Sequence, residues 1–353
     1  MTRKLFIHCG LHKTATTALQ SALSQHSDQL RDLGLLYPRA GQVTEDVTGH
    51  HNIAWELARD RRFTRQLGTL ETLLGEIEYF DGDIILSSED FEGLLVQPAR
   101  WEALLRLASQ CSLTPVALVY LRNQASYLES LYPEMLKHRF GEELPVWLED
   151  TLGRGSIQMK EWIFHFDYLK IADAMSEIRE LDVIFRNYHV LSDETIITDF
   201  FEAINAPRPP FIKEQRVNQR DSLLDSLNHF YKNRVERPLR DSEVKAIIQI
   251  CSHIPQPPQI SMDLRDKMEE RFFQSNNKIC DAWGLERSGL NDFSTRNAIS
   301  KVAPIERIFT FETQIAILSI AAAIENGVRG NIPETDPERT KLLRGWLDWV
   351  YAD

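Results

Sequence analysis

Three near-continuous apolar runs, KLFIHC at 4–9, DIILSS at 83–88 and PVALVYL at 115–121, are separated by stretches of helical periodicity. A strand that is apolar on both faces must be covered on both faces, and parallel strands joined by helices achieve this. LDVIF at 181–185 reads as a fourth strand and GLLYP at 34–38 as a short fifth. Leu19, Ala22, Leu23, Leu30 and Leu33 mark a helix that Gly34 stops, and Leu67, Leu70, Leu74 and Ile77 mark another. The expected fold is therefore a doubly wound parallel α/β sheet with helices on both faces. Beyond residue 190 the pattern becomes helix-rich, with segments expected at about 193–205, 220–236, 241–252 and 261–283. Two more helices follow the polar break NDFSTRN, so the expected division is a main domain at 1–293 with a helical extension at 294–353 packed on it.

Composition narrows the partners. A formal charge of -12 argues against a nucleic acid or an anionic membrane surface, so an anionic ligand must find a locally positive pocket. The longest apolar run, IAILSIAAAI at 315–324, is too short to span a bilayer. No basic segment leads into an apolar one at the start, and the four cysteines form no paired motif; both point to a cytoplasmic chain with reduced thiols. His50 and His51 lack any matching cysteine or carboxylate spacing, so no metal is expected.

The first strand runs through Gly10 into Lys13, Thr14, Ala15, Thr16 and Thr17 and then directly into a helix. A helix start aims its first N–H groups at the preceding turn, where they and the helix dipole attract a phosphate-like anion. Lys13 adds a full charge and the threonines add hydroxyls. The spacing is not that of a Walker A loop, because His12 stands where a glycine must precede the lysine. A second candidate anion site follows the third strand, in VALVYLRNQASYLESLYPEML. Arg122 sits at the strand end, where open α/β sheets bind ligands, and Ser130 lies eight positions on, about two helical turns past the helix start. Arg122 and Ser130 are thus expected to converge on one phosphate, with Pro133 expected to kink their helix.

HCGLHKTATTALQ resembles the 5′-phosphosulfate loop of the sulfotransferase family, and YLRNQASYLESLY resembles that family's 3′-phosphate motif. IILSSEDF and ERFFQSNNKICDAWG are more loosely similar to segments of bacterial, carbohydrate-acting members. The resemblance implies a P-loop-type sheet and the donor 3′-phosphoadenylyl sulfate (PAPS), held without a metal. It implies Lys13 and residues 14–17 at the phosphosulfate, and Arg122 with Ser130 at the 3′-phosphate. Ala15 replaces the family's usual glycine, which requires ordinary dihedrals at that position. The family's late glycine-rich loop is absent, with Arg216 or Arg220 as candidate replacements.

The implied reaction transfers a sulfuryl group to a hydroxyl or amine, with a carbohydrate as the favoured acceptor. Positioning and charge stabilisation would dominate, and no protein nucleophile is needed. Lys13 would stabilise the leaving phosphate. The base is Glu89, implied by the carbohydrate-acting members, or His51, as in the cytosolic ones. Glu89 suits the role if burial raises its pKa or the proton moves late, and Asp90 is the expected helix cap. A P-loop kinase for small hydroxyl compounds and an idle nucleotide-binding module are the competing readings. Trp55, Trp147, Trp162, Phe211 and Trp283 are candidate sugar platforms or core residues.

Overall fold

A computed structural model describes residues 3–140, 144–188, 196–213, 222–254, 258–293, 303–330 and 337–352. The side chains of 145, 146, 149, 150 and 327–330 are not described. Arg216 and Arg220 lie outside the described residues.

The strands are β1 (Lys4–Gly10), β2 (Leu35–Leu36), β3 (Asp83–Ser87), β4 (Thr114–Leu121), β5 (Ser156–Met159), β6 (Trp162–His165) and β7 (Asp182–Asn187). Five of them form a parallel sheet in the order β2-β3-β1-β4-β7, and β5 with β6 forms a separate antiparallel hairpin. All four long apolar runs are thus strands of one sheet, as their unbroken hydrophobicity requires. GLLYP contributes only the two residues of β2. The hairpin was not expected from the sequence.

The register aligns His8 with Ser87 and Gly10 with Tyr120, so the carboxyl ends of β3, β1 and β4 lie side by side. Alternation along the strands sends Phe6, Ile85, Val116, Leu118 and Tyr120 to one face. There they pack with Leu19 and Leu23 of helix Thr16–Gln25 and with Ile197, Phe200 and Phe201 of helix Ile196–Ala203. Leu5, Ile7, Ile84 and Leu86 alternate to the other face and are fully buried. Burying each such side chain stabilises by about 1.5–3 kcal/mol, so this core fixes the strand ends from which the site is built.

The helix expected from Leu67 begins at Leu70 and runs to Ile77. Thr69 caps it by accepting from the Thr72 amide, and Leu67 closes a separate 3-10 turn. The helix after β4, Gln124–Lys137, is continuous through Pro133.

The chain forms two compact units. The first comprises 1–124, 154–219 and 271–292 and holds the whole parallel sheet. The second comprises 125–153, 220–270 and 293–353. Residues beyond 294 therefore group with two earlier helical segments. In the second unit, helix Phe311–Gly330 packs against Asp241–Ser252 and Pro337–Val350. Its Ile317, Ile320 and Ala321 are buried, while Phe311, Ile315 and Leu318 are exposed. Buried Glu243 accepts from Tyr231, Arg237 and Arg240, joining two helices of this unit. Trp147 packs edge-on against Tyr132 in its core. All four cysteines are free thiols. Among the described residues no helix is long and apolar enough to cross a membrane.

Candidate functional site

The loop after β1 is tightly drawn. Thr14 is buried and its hydroxyl donates to the Leu11 carbonyl at 2.6 Å, so this hydroxyl braces the loop from within. Gly10 is needed for close approach: a Cβ there would stand 2.5 Å from Thr16 Cγ2 and 2.9 Å from Thr14 Oγ1. Lys13 and Ala15 both have positive φ, at 66° and 59°. The expectation of ordinary dihedrals at Ala15 is therefore corrected: the residue is left-handed (ψ 26°), where a Cβ crowds the following carbonyl. Ala15 is the helix N-cap and its carbonyl accepts from Ala18, but it is left-handed where an N-cap is usually extended. Ala15→Gly is expected to stabilise the fold by about 1 kcal/mol, read as a raised urea midpoint.

Left-handed residues at alternate positions turn successive amides toward one side, forming an anion-binding concavity. The amides of Thr14, Ala15, Thr16 and Thr17 donate to no group among the described residues. The Arg122 guanidinium, from the end of neighbouring β4, donates to the Lys13 carbonyl and lies 5.4 Å from the centre of the Tyr188 ring. Tyr168 donates through its hydroxyl to the Arg122 carbonyl. Asn123 donates to the Leu290 carbonyl (3.0 Å), and Gln124 exchanges side-chain bonds with buried Asn276, which anchors this strand end. Arg122 thus reaches the Lys13 loop. Ser130, half-buried on helix Gln124–Lys137, belongs to the second unit.

An acid–base cluster lies beside the loop. Glu92 is fully buried and accepts from the His12 backbone (3.0 Å), the His12 ring (2.7 Å) and the His165 backbone (2.7 Å). Sequence reasoning missed Glu92 entirely. Ser88, not Asp90, caps the 3-10 turn Glu89–Leu94, its Oγ accepting from the Asp90 amide. Asp90 instead bridges His51 Nδ1 (2.9 Å) and Arg62 (3.2 Å). A Cβ at Gly49 would stand 2.5 Å from His51 Nε2 and 2.9 Å from the Gln20 amide, so the glycine makes room for both side chains. Gln20 in turn donates to Glu89 at 2.8 Å.

The adjacent histidines divide their tasks. Ser87 N–H donates to His50 Nδ1, His50 Nε2 donates to the Pro38 carbonyl, and the His50 amide donates to the Ser87 carbonyl. Each ring nitrogen of His50 is thus used by the backbone, and burial pushes its pKa down to about 4. His51 faces the carboxylates. Burial alone would lower its pKa, but the Glu89 charge and the Asp90 hydrogen bond outweigh burial and raise it. His12 is likewise raised, against burial, by Glu92. Glu89 departs from the expectation: burial would raise its pKa, yet the charges of His51 and His12 and the Gln20 bond hold it below the ordinary value. Asp90 is lowered for similar reasons.

These shifts set a pH profile. His12 and His51 contribute stability that is full below their ordinary 6.5 and is lost as pH rises through their raised values. His8 and His50, buried and lowered to about 4, contribute stability that is full above 6.5 and is lost as pH falls. Stability should therefore peak near pH 6.5. On the acid side it should fall by roughly 1 kcal/mol per histidine per pH unit. Urea titrations from pH 4.5 to 8.5 check this, and a monotonic profile would contradict it.

Beyond the cluster lies a cavity of about 360 Å³ between the segment 55–62 and the β5–β6 hairpin, bordered by His12 and Asp90. Arg62 sits between the indoles of Trp55 (4.9 Å) and Trp162 (4.8 Å), and His51 stacks on Trp55 at 6.0 Å. Trp55 is half-buried, a layer of this stack and part of the cavity wall. Trp283 packs on Phe185, and Phe211 lies against His26 at the edge of the sheet core.

Comparison with protein-family models, with curated proteins and with solved structures gives no significant match for the chain.

Proposed function

We propose that the chain binds 3′-phosphoadenylyl sulfate and transfers its sulfuryl group to an acceptor hydroxyl, on a P-loop-type, doubly wound sheet. The single observation that carries this reading is the β1 loop. Four consecutive amides without partners among the described residues, a lysine and a neighbouring strand's arginine gather at one strand end. The resemblance of the two motifs then selects this donor among phosphate-bearing ligands. That donor supplies an activated sulfuryl group on a phosphate leaving group. The loop amides would hold its equatorial oxygens, and Lys13 would balance the charge that grows on the bridging oxygen. Arg122 would leave the Lys13 carbonyl for the 3′-phosphate, a stronger charge-assisted partner.

Glu89 is the better base of the two candidates. It stays ionised at neutral pH, whereas His51 beside it is biased toward the protonated form. A carboxylate of lowered pKa is a weak base, so it takes the proton late, as bond formation acidifies the acceptor. His51 then holds Glu89 charged until transfer.

The test is transfer of labelled sulfate from the donor to a panel of hydroxylated acceptors, run with a metal chelator present. Transfer that Glu89→Gln abolishes supports the reading. Tight nucleotide binding with no transfer to any acceptor would favour an idle binding module.

A further inference from the structure

We infer that the cavity between segment 55–62 and the β5–β6 hairpin is the acceptor site, and that it takes a hydroxylated compound bearing a carboxylate or sulfate. The assignment as acceptor site rests on the proposed sulfuryl transfer; the ligand class rests on the cavity itself.

Its place comes first. His12 belongs both to the anion loop and to the cavity wall, and Asp90 belongs both to the wall and to the pair with His51. A hydroxyl entering from this side approaches the loop and the acid–base cluster together, as a reacting acceptor must. At about 360 Å³ the space lies in the range of small-ligand pockets and admits a single ring with its substituents.

Charge defines the class. On a chain of net charge -12, the cavity wall carries the cations Arg59, Arg61, Arg62 and Lys160 against the carboxylates Asp60, Asp90 and Glu161. Two of these cations pair with all three carboxylates, Arg62 with Asp60 and Asp90 and Arg61 with Glu161, so the wall keeps a formal excess of one positive charge. A locally cationic hollow on an acidic surface attracts anions and repels cations. The neutral amides of Gln97 and Gln158 on the wall suit hydroxyl groups. The rigid layers His51, Trp55, Arg62 and Trp162 keep the wall's shape fixed.

The experiment titrates the full chain with glucuronate, glucose 6-sulfate and glucose, without donor, following the indole N–H signals of Trp55 and Trp162 by NMR. Both anionic sugars are expected to shift these signals and to bind at least tenfold more tightly than glucose. The surface double variant Arg59→Glu/Lys160→Glu should lose that preference while keeping its fold, and Lys13→Ala should retain it. If only one anionic sugar binds in this way, the site takes that anion alone. Equal binding of glucose, no shift with either anionic sugar, or an unchanged preference in the double variant overturns the inference. Anionic-sugar binding in a protein that takes up no adenosine 3′,5′-bisphosphate would instead sink the sulfuryl-transfer reading and leave the cavity's ligand class standing.

Discussion

Lys13→Ala is expected to lower the rate of sulfuryl transfer about 10²–10³-fold, the usual effect of removing one preorganised donor from a developing negative charge. The same change should weaken binding of the bisphosphate product by no more than about tenfold, because the four loop amides remain. That split matters. A lysine that merely braced the loop would reduce binding and rate together, whereas one that balances charge on the leaving phosphate acts mainly in the transition state. Single-turnover measurements at saturating donor read the difference directly. Retention of the rate within threefold would remove Lys13 from the chemistry.

Glu92→Ala is expected to be the most damaging substitution for stability. Glu92 is completely buried, and its two oxygens receive three donors from His12 and His165. Removing it strands those donors and takes from His12 the hydrogen bond and charge that hold its pKa up against burial. Breaking a buried charged pair of this kind costs about 3–5 kcal/mol. Urea denaturation should show that loss, with Glu92→Gln intermediate because an amide oxygen can still accept. Since Glu92 ties the anion loop to β6, nucleotide affinity should fall as well. A loss below about 1 kcal/mol would mean that the loop is held by other contacts.

The strands of the sheet were legible because burial on both faces demands unbroken apolar runs, and KLFIHC, DIILSS, PVALVYL and LDVIF have them. The β5–β6 hairpin was not legible: SIQM alternates over only four residues and WIFH does not alternate at all. The anion loop could be read from Gly10, Lys13 and the abrupt strand-to-helix passage, but its dihedrals could not. An alanine carries no local mark of a left-handed conformation, and N-caps are usually extended, so nothing in the sequence signalled it at Ala15. The acid–base cluster was half visible. Glu89 and His51 stood at expected strand and helix ends, whereas Glu92 acts through backbone amides 80 and 73 positions away, a relation with no local signature. Ser88 caps in place of Asp90 for a physical reason. A hydroxyl suffices to cap a short 3-10 turn, which frees the carboxylate for the stronger pairing with His51 and Arg62.

Under the proposed function, the ends of β1 and β4 recognise an adenosine with phosphate at both its 3′ and 5′ positions. Calorimetric titration of the full chain with adenosine 3′,5′-bisphosphate and with adenosine 5′-phosphate tests it most directly. The bisphosphate should bind about 10–100-fold more tightly, the value of one charge-assisted contact set, and Arg122→Ala should erase the difference. Equal affinity for the two nucleotides, or no heat from either, would contradict it.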